Sequence, residues 1–324
     1  MNYLRTLSLV MILALASSMA AFAQQQKAPT GQKKVVRINP VTPDTTDPNK
    51  KALMKFSKDQ MFNVTTPPKA LSPAEVKAMG FYSDGSKKGK EGDFEGAIRD
   101  FTTSLNLYKH AGTYAIRGYA YLMIGNYGMA ISDETEALKL QNLYTNAHFV
   151  RGLARFETGD VKGAREDLDI FLDRDRTNAI AFNYMAAILF MSQDYKGALE
   201  MYNEVVRLEP TYPDIYTNRG MMRHYNQDFR GAILDYNEAL KQKPGNPTAY
   251  NNRGAAKLML KDFDGALADF NQAISLSPQY SDAYDNRGRV RQALGDTEGA
   301  CSDWQQAYAL GLAASKDLII KYCK

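Results

Sequence analysis

The chain has 324 residues, of which 44% are hydrophobic, and a formal net charge of +4 at neutral pH. The charge is uneven: residues 24–70 carry nine Lys/Arg against three Asp (+6), whereas residues 71–324 carry 30 Lys/Arg against 33 Asp/Glu (−3). A basic tail can bind nucleic acid or an anionic lipid surface, or can serve as a solvated linker. We favour the linker, because the export signal described next excludes nucleic acid as a plausible partner.

Residues 1–23 have the three parts of a secretory signal peptide. Arg5 supplies the positive start, residues 7–16 the apolar core, and Ala21-Phe22-Ala23 the cleavage site. The apolar core is shorter than the ~20 residues of a membrane-spanning helix, so cleavage is expected rather than anchoring. No cysteine follows the site, which argues against a lipoprotein anchor. An exported protein is predicted, with the periplasm favoured over a secreted or outer-surface location and with no membrane span after cleavage.

Residues 24–70 are rich in Gln, Lys, Thr and Pro. Such a segment buries too little apolar surface to offset the entropy of ordering it. It is therefore predicted to be a flexible, mostly extended arm. Two weaker signals lie within it: residues 50–62 could form a short helix, and residues 35–38 could add as a strand to a partner.

Helical order is predicted to begin at Ser72, a good N-cap that forms a capping box with Glu75. From residue 78 the chain repeats with a period of 34 residues. Seven repeats can be laid out, the first one residue short: 78–110, 111–144, 145–178, 179–212, 213–246, 247–280 and 281–314. The first helix of repeat 1 contains three glycines, which predict fraying at that end.

The repeated positions hold small, aromatic and proline residues. The sixth repeat has Gly254, Ala266, Phe270, Ala273 and Pro278, and the neighbouring repeats have Gly220, Ala232, Tyr236, Ala239, Pro244 and Gly288, Ala300, Trp304, Ala307. Over residues 78–314 this pattern resembles the tetratricopeptide repeat (TPR) family. The resemblance implies an all-α fold, a right-handed superhelical solenoid of about seven helix-turn-helix repeats with a capping helix over residues 315–324.

The turn inside each helix pair is predicted at an Asp or Asn that caps the second helix. These residues are Asp93, Asn126, Asp160, Asp194, Asp228, Asp262 and Asp296. Four of them follow a glycine (Gly92, Gly125, Gly159 and Gly295) that suits a left-handed helix end. Glycines early in the second helix (Gly96, Gly163, Gly197, Gly231, Gly265 and Gly299) predict close helix approach.

Five repeats carry an Arg followed sixteen residues later by an Asp: Arg117–Asp133, Arg151–Asp167, Arg219–Asp235, Arg253–Asp269 and Arg287–Asp303. In repeat 4 the Arg position holds Met185 and the Asp position holds Met201, so both charges are absent from the same repeat. This predicts a partly buried ion pair between the helices of one repeat. The alternative is incidental surface charge. Repeat 1 breaks the rule, with Asp84 opposite Asp100.

Cys301 and Cys323 are the only cysteines. If a helix over about residues 313–322 folds back along the preceding one, the two cysteines come nearly level at ~1.5 Å per residue. An exported protein meets oxidising conditions, so a disulfide that fastens the C-terminal cap is predicted. Two unpaired thiols are the alternative.

Catalytic chemistry finds no support in the sequence. His110, His148 and His224 lie in different repeats without ligand spacing, and His148 occupies a position that is aromatic elsewhere, so a core role is predicted. No phosphate loop, nucleophile elbow or metalloprotease motif occurs. Neither an enzyme, a cofactor nor a metal site is predicted.

The resemblance implies that the first helices line a groove that holds peptides or partner helices. The two main groove positions of each repeat are Tyr82/Ser86, Ala115/Tyr119, Phe149/Leu153, Asn183/Ala187, Thr217/Met221, Asn251/Ala255 and Asp285/Arg289. This groove would run from aromatic and apolar to polar and charged, and Asn side chains can clamp the backbone amides of a partner. Packing between neighbouring repeats is the alternative for each residue.

A non-enzymatic interaction scaffold of the cell envelope is the leading prediction. The alternatives are a periplasmic carrier or holdase for envelope proteins, and a solenoid that binds glycans or small ligands. Some family members bind acidic chaperone C-termini through Lys and Arg, but here only Arg289 matches those positions. The terminal repeat and its Cys-bearing cap also resemble exported repeat proteins of Gram-negative bacteria.

Overall fold

The computed structural model describes residues 71–142, 144–212 and 214–323. All of them belong to one compact unit. The predicted signal peptide (residues 1–23) and arm (residues 24–70), including the short helix and strand considered there, lie outside the described residues.

Fifteen helices and no strand occur in the described part of the chain. Seven helix pairs follow one another: α1 Pro73–Glu91 and α2 Phe94–Leu107, α3 Ala111–Met123 and α4 Tyr127–Leu140, α5 Thr145–Glu157 and α6 Val161–Arg174, α7 Ala179–Met191 and α8 Tyr195–Leu208, α9 Ile215–Tyr225 and α10 Phe229–Gln242, α11 Pro247–Met259 and α12 Phe263–Leu276, α13 Ser281–Leu294 and α14 Thr297–Ala309. A last helix, α15 Ser315–Tyr322, ends the solenoid. The predicted capping box of Ser72 and Glu75 is present at the start of α1.

The turns inside the repeats have the predicted chemistry. The side chain of each of the seven Asp and Asn caps accepts a hydrogen bond from the backbone N–H three residues later, at the start of the second helix. The four preceding glycines have φ between 78° and 90°. In the other three repeats Gln193, Gln227 and Lys261 take the same left-handed conformation, with φ of 62–64°.

The glycines early in the second helices serve these caps, not helix approach as predicted. A Cβ on Gly197 would lie 2.6 Å from Oδ2 of the capping Asp194, and the other five glycines face their caps in the same way. Close helix approach instead occurs at first-helix glycines. A Cβ on Gly254 would lie 2.9 Å from the Phe270 ring, and one on Gly85 2.7 Å from Phe101. Gly85 therefore has a packing role in repeat 1.

All five predicted Arg–Asp pairs are present. In repeat 6, Arg253 donates from Nε and Nη2 to the two carboxylate oxygens of Asp269 at 2.9 and 2.6 Å. Its Nη1 also donates to Oδ1 of Asn237 in the preceding repeat at 2.7 Å. The Asp269 side chain is only 5% exposed. Each guanidinium thus joins the two helices of its own repeat and reaches back to the repeat before it.

A second cation, which the sequence analysis missed, completes most of these sites. Lys257 binds the same carboxylate as Arg253, with 2.8 Å between its Nζ and Asp269 Oδ2. Arg155, Arg223 and Arg291 do the same in repeats 3, 5 and 7. In repeat 1, Lys88 binds Asp100 at 2.6 Å from the equivalent position. The first repeat therefore has an interhelical ion pair, although the sequence places Asp84 opposite Asp100 and so predicted none.

The solenoid curves with its first helices inside. First helices of neighbouring repeats touch in most junctions, whereas second helices make no comparable contact. The junction between α6 of repeat 3 and α7 of repeat 4 is the loosest of the six. In the other five junctions an Arg side chain donates a hydrogen bond to the preceding repeat. Repeat 4 has Met185 at the position of this Arg, so this hydrogen bond is missing between repeats 3 and 4.

The C-terminal cap is fastened as predicted, by a disulfide between Cys301 and Cys323 with Cα atoms 5.6 Å apart. The ring of Tyr322 packs on Trp304, with centroids 5.5 Å apart, and Trp304 is 1% exposed. The cap therefore covers the core of the last repeat.

Reduction of this disulfide is expected to lower the stability of the C-terminal end by about 3 kcal/mol, because the unfolded chain regains the entropy of a closed loop. Trp304 is the only tryptophan of the chain, so its fluorescence reports on the cap alone. We expect its red shift at a lower urea concentration when reductant is present. A Cys301→Ser/Cys323→Ser variant serves as the control. A reductant effect of equal size in that variant would contradict the assignment.

Candidate functional site

The first-helix residues that were predicted to line the groove form the inner row. Its members are Tyr82, Ser86, Ala115, Tyr119, Phe149, Leu153, Asn183, Ala187, Thr217, Met221, Asn251, Ala255, Asp285 and Arg289. They recur at two equivalent positions of α1, α3, α5, α7, α9, α11 and α13, on the helices that lie inside the curve.

The apolar part of the inner row is buried in the full-length chain. Tyr119, Phe149, Leu153 and Met221 are at most 2% exposed. The Phe149 ring lies 4.9 Å from that of Phe171 on α6, and the Tyr119 ring packs edge-on to Phe94 on α2 at 6.3 Å. These two aromatic rings thus contribute to packing between helices, which was the alternative to a groove role.

The polar part of the inner row runs through repeats 4 to 6 and continues on the adjacent positions of the same helices. Asn286 donates from Nδ2 to Asn251 Oδ1 at 3.0 Å, and Asn251 donates to Asn252 Oδ1 at 3.2 Å, so amide side chains link two repeats. Further back, Asn183 and Thr217 are 2% and 0% exposed.

Three polar atoms of this stretch have no hydrogen-bond partner among the described residues: Asn183 Nδ2, Thr217 Oγ1 and Asn218 Oδ1. Asn218 occupies the position next to Thr217 and is 4% exposed. Most buried polar groups in proteins are paired, so a row of unpaired ones calls for a physical reason. Donors and acceptors both occur among them, which matches the needs of a peptide backbone.

Repeat 7 departs from the groove prediction. Asp285 is fully buried and accepts hydrogen bonds from Ser315 Oγ at 2.8 Å and Arg289 Nε at 2.7 Å. Its backbone oxygen accepts from Trp304 Nε1 at 3.2 Å. Asp285 therefore holds the capping helix through Ser315, and Arg289 pairs with Asp285 on the same helix. The prediction of a charged end to the groove is wrong for Asp285.

The histidines remain apart from one another. His148 is buried, as predicted for a core residue, and its Nδ1 lies 2.8 Å from Asp167 Oδ1. His224 is 8% exposed and packs edge-on to Phe229. No group of three possible metal-binding side chains occurs in residues 71–323 as described.

His224 should make the stability depend on pH. Burial lowers its pKa from 6.5 to about 4, so the folded state resists protonation that the unfolded state accepts. The contribution of neutral His224 to the free energy of unfolding is therefore fully present above pH 6.5 and is lost as the pH falls towards 4. At ~1.4 kcal/mol per pH unit the loss is about 3 kcal/mol. We expect His224→Leu to retain this stability at pH 4.5 in urea titrations. Parallel pH profiles of the variant and the wild type would contradict the assignment.

One buried charge was not anticipated. Glu134 on α4 is 0% exposed, and neither carboxylate oxygen has a hydrogen-bond partner in the part of the chain that the structure describes. Burial, with smaller contributions from Asp133 and Asp167, raises its pKa well above 4.5 despite the opposing Arg151. The sequence does hold a signal for this site, because the equivalent position is a large apolar or aromatic residue in every other repeat (Phe101, Leu168, Tyr202, Tyr236, Phe270 and Trp304).

Comparison with known families supports the repeat assignment. Family models described as "Tetratricopeptide repeat" match residues 149–213 and 247–280, and one described as "TPR repeat" matches residues 221–261. Residues 149–213 and 221–280 are thus similar in sequence to tetratricopeptide repeats. None of the described helices combines the length and apolar character that crossing a membrane requires.

Two curated relatives share parts of the chain. The small glutamine-rich tetratricopeptide repeat-containing protein 2 of Saccharomyces cerevisiae is 38% identical over 148 residues, 45% of this chain and 40% of that protein. The lipoprotein NlpI homolog of Haemophilus influenzae is 35% identical over 74 residues, 23% of this chain and 24% of that protein. The match thus spans less than half of either relative.

Solved TPR structures have the same fold. The C-terminal part of a TPR repeat-containing protein from Cytophaga hutchinsonii aligns with a TM-score of 0.55 at 17% identity, over 71% of this chain and 95% of that chain. YrrB, described as a TPR protein with an unusual peptide-binding site, aligns with a TM-score of 0.54 at 20% identity, over 56% of this chain and 95% of that chain.

Proposed function

We propose that this protein is a non-enzymatic interaction scaffold of the cell envelope that holds an extended partner segment along its inner row. The observation that carries the proposal is the run of buried amide and hydroxyl side chains from Asn183 to Asn286. Three of their atoms have no partner within residues 71–323 as described. The export signal predicted in residues 1–23 supports the envelope location. The peptide-binding description of YrrB supports a peptide as the bound species.

The chemistry of the inner row suits a peptide backbone. An amide side chain donates through its nitrogen and accepts through its oxygen, so it can pair both sides of a peptide unit. Repeats 4 to 6 offer these groups at regular spacing, which would fix a partner by its main chain rather than by its side chains.

Capture from envelope extract tests the proposal. An Asn183→Ala/Thr217→Ala/Asn218→Ala variant should lose at least tenfold of the captured partner, because it removes the three unpaired polar groups. Gln272→Ala/Gln305→Ala/Gln306→Ala, on exposed second-helix positions, is the matched control and should capture as well as the wild type. Tyr119, Phe149 and Met221 are unsuitable probes, since truncating buried residues of this size costs ~2–5 kcal/mol each.

The outcomes separate the candidate functions. A scaffold yields one stoichiometric partner, whereas a carrier or holdase suppresses the aggregation of many clients. Equal capture by the inner-row variant and the wild type would reject the inner row as the binding surface. Binding of sugars alone would support a glycan-binding role, for which the buried Tyr119 and Phe149 offer no exposed ring face.

A further inference from the structure

The first helices of repeats 4 to 7 end in exposed apolar side chains. Together with the tyrosine that opens α8 they form the turn-edge patch, which consists of Met191, Tyr195, Tyr225, Met259, Leu260 and Leu294. Five of these side chains are 37–50% exposed, and Tyr195 is half-buried. We propose that the turn-edge patch binds an amphipathic α-helix of a partner protein that carries basic residues beside its apolar face. The patch is exposed whereas the inner row is buried, so this surface is additional to the one in the proposed function.

Three aromatic rings join repeats 4 and 5 at this patch. The rings of Tyr195 and Tyr225 are stacked, with centroids 4.4 Å apart and planes inclined by 10°. The Phe190 ring lies 5.8 Å from that of Tyr225. Asn226 donates from Nδ2 to the backbone oxygen of Tyr195 at 3.0 Å and so ties the two turns together. An ordered aromatic surface next to exposed Met and Leu side chains is typical of a binding surface.

Two carboxylates of these turns lack the cation that their equivalents have. In repeats 3, 5 and 7 an Arg of the first helix lies 3.6–4.0 Å from the capping aspartate. In repeat 4 Leu189 stands at the position of this Arg, and in repeat 6 Lys257 binds the carboxylate of the interhelical ion pair instead. Asp194 and Asp262 therefore have no ion pair within residues 71–323 as described, and both are exposed. A Lys or Arg of a partner can pair with each of them and can also lie over a tyrosine ring.

The apolar character of the patch favours a helix as the bound form. Apart from the two tyrosine hydroxyls, its side chains offer no strong hydrogen-bonding group to a partner backbone. The partner must therefore satisfy its own backbone groups, as an α-helix does. Adjacent repeats are about 10 Å apart, which corresponds to about seven residues of an α-helix, or two turns. Residues seven apart lie on one face of a helix, so one apolar face can follow the patch from repeat to repeat.

The charge of the turns selects a basic partner over a second copy of this chain. The four turns that adjoin the patch, residues 192–196, 226–230, 260–264 and 294–298, carry six Asp/Glu against three Lys/Arg. The arginines that reach the turns of repeats 5 and 7 from the first helices already share a carboxylate of their own repeat. Two copies packed through this edge would bring like charges together, whereas a basic helix would neutralise them.

Peptide titrations with the full-length protein test the proposal. The probe is a fluorescent helical peptide of about 20 residues, with leucines along one face and arginines about 14 residues apart, which matches two repeats. One comparison peptide has the same composition in scrambled order, and a second has Glu in place of Arg. We expect the probe to bind about tenfold or more tightly than either. Equal affinity for the three peptides would overturn the proposal.

Charge variants locate the basic residues of the probe. Asp194→Asn/Asp262→Asn keeps both helix caps, because Asn126 caps the equivalent turn of repeat 2. This variant should bind the probe about fivefold or more weakly. The matched control is Asp93→Asn/Asp160→Asn, which removes the same charges from repeats 1 and 3 and should change the affinity by less than about twofold. Equal losses in the two variants would contradict a specific contact.

Apolar variants locate the leucine face. Met191→Gln/Met259→Gln replaces two exposed residues at helix ends and should weaken binding about tenfold or more. The matched control, Met129→Gln/Leu140→Gln, changes side chains of repeat 2 that are 40% and 53% exposed and should bind the probe as the wild type does. Unchanged binding by the Met191→Gln/Met259→Gln variant would overturn the proposal.

The two proposals fail separately. The inner-row variant Asn183→Ala/Thr217→Ala/Asn218→Ala should bind the probe as the wild type does. Loss of probe binding in that variant would place the peptide in the inner row and remove this inference alone. Sedimentation that shows a dimer in the wild type but not in Met191→Gln/Met259→Gln would assign the patch to a second copy and overturn the proposal. Probe binding without any inner-row capture would reject the proposed function and keep this surface.

Discussion

Replacing Glu134 by methionine should stabilise the solenoid by about 3 kcal/mol, since a buried ionisable group without hydrogen bonds is among the costliest features of a protein core. Glu134 faces Gly118, where an added Cβ would lie 2.5 Å from its Oε1. Methionine has nearly the same length as glutamate and adapts to irregular space. It should therefore fill the site, as apolar or aromatic side chains do in the other repeats.

The gain from Glu134→Met should grow with pH. Because the folded-state pKa of Glu134 is raised, the folded protein holds this proton more tightly than the unfolded chain does. Wild-type stability therefore falls as the pH rises above about 4.5, whereas the variant lacks this loss. The charged neighbours are Asp133, Asp167 and Arg151, which remain in the variant.

Urea titrations at pH 4, 5.5 and 7 measure the effect. Glu136→Met is the matched control on the same helix, because the Glu136 side chain is 43% exposed and pairs with Lys139 three residues away. Its stability should change by less than about 0.5 kcal/mol. A Glu134→Met variant less stable than the wild type at pH 7 would show that the carboxyl group has stabilising partners.

Replacing Asp269 by methionine should destabilise the protein by about 3 kcal/mol or more, because Arg253 and Lys257 then lose their shared partner. Replacing Arg253 alone should cost less, since Lys257 still binds the carboxylate at 2.8 Å. The intact pair adds little net stability, because the cost of burying the carboxylate offsets its attraction to the Arg. In the equivalent sites burial raises the pKa of Asp133 and Asp235, although their Arg neighbours lower it. Removing one partner is what lowers the stability, because it leaves the other charge buried and unpaired.

A double-mutant cycle of Arg253→Met and Asp269→Met measures the coupling. The combined variant should be more stable than the sum of the single effects implies, and repeat 4 provides the natural precedent with Met185 and Met201. Additive losses would mean that the two residues do not act as a pair.

Much of the fold could be predicted because each repeat restates the same local chemistry. The caps, the left-handed glycines and the Arg–Asp pairs depend on residues within one repeat, so comparing seven copies reveals them. The second cation escaped notice because Arg155, Lys257 and Lys88 differ in type from repeat to repeat. The cap glycines were misinterpreted because the sequence does not show what an absent side chain would contact.

The candidate site was less predictable for a physical reason. The positions of the inner row follow from the period, but their burial depends on the curvature of the whole solenoid and on everything that packs inside it. Asn183 and Phe149 occupy equivalent positions in adjacent repeats, yet Phe149 packs on another aromatic ring while Asn183 keeps an unpaired nitrogen. Asp285 was misassigned because its partner, Ser315, lies outside the repeat pattern.

The loose junction between repeats 3 and 4 has a mechanical consequence. Elsewhere a guanidinium hydrogen bond fixes the angle between neighbouring repeats, as Arg253 does with Asn237. At Met185 this hydrogen bond is missing, and repeats 3 and 4 are joined instead by apolar contact and by a hydrogen bond from the Tyr184 hydroxyl to Glu157 Oε1 at 3.1 Å. Twisting and bending should therefore concentrate at this one joint, between two stiffer segments of three and four repeats. The pitch of the superhelix can then adjust while the guanidinium hydrogen bonds at the other five junctions stay intact.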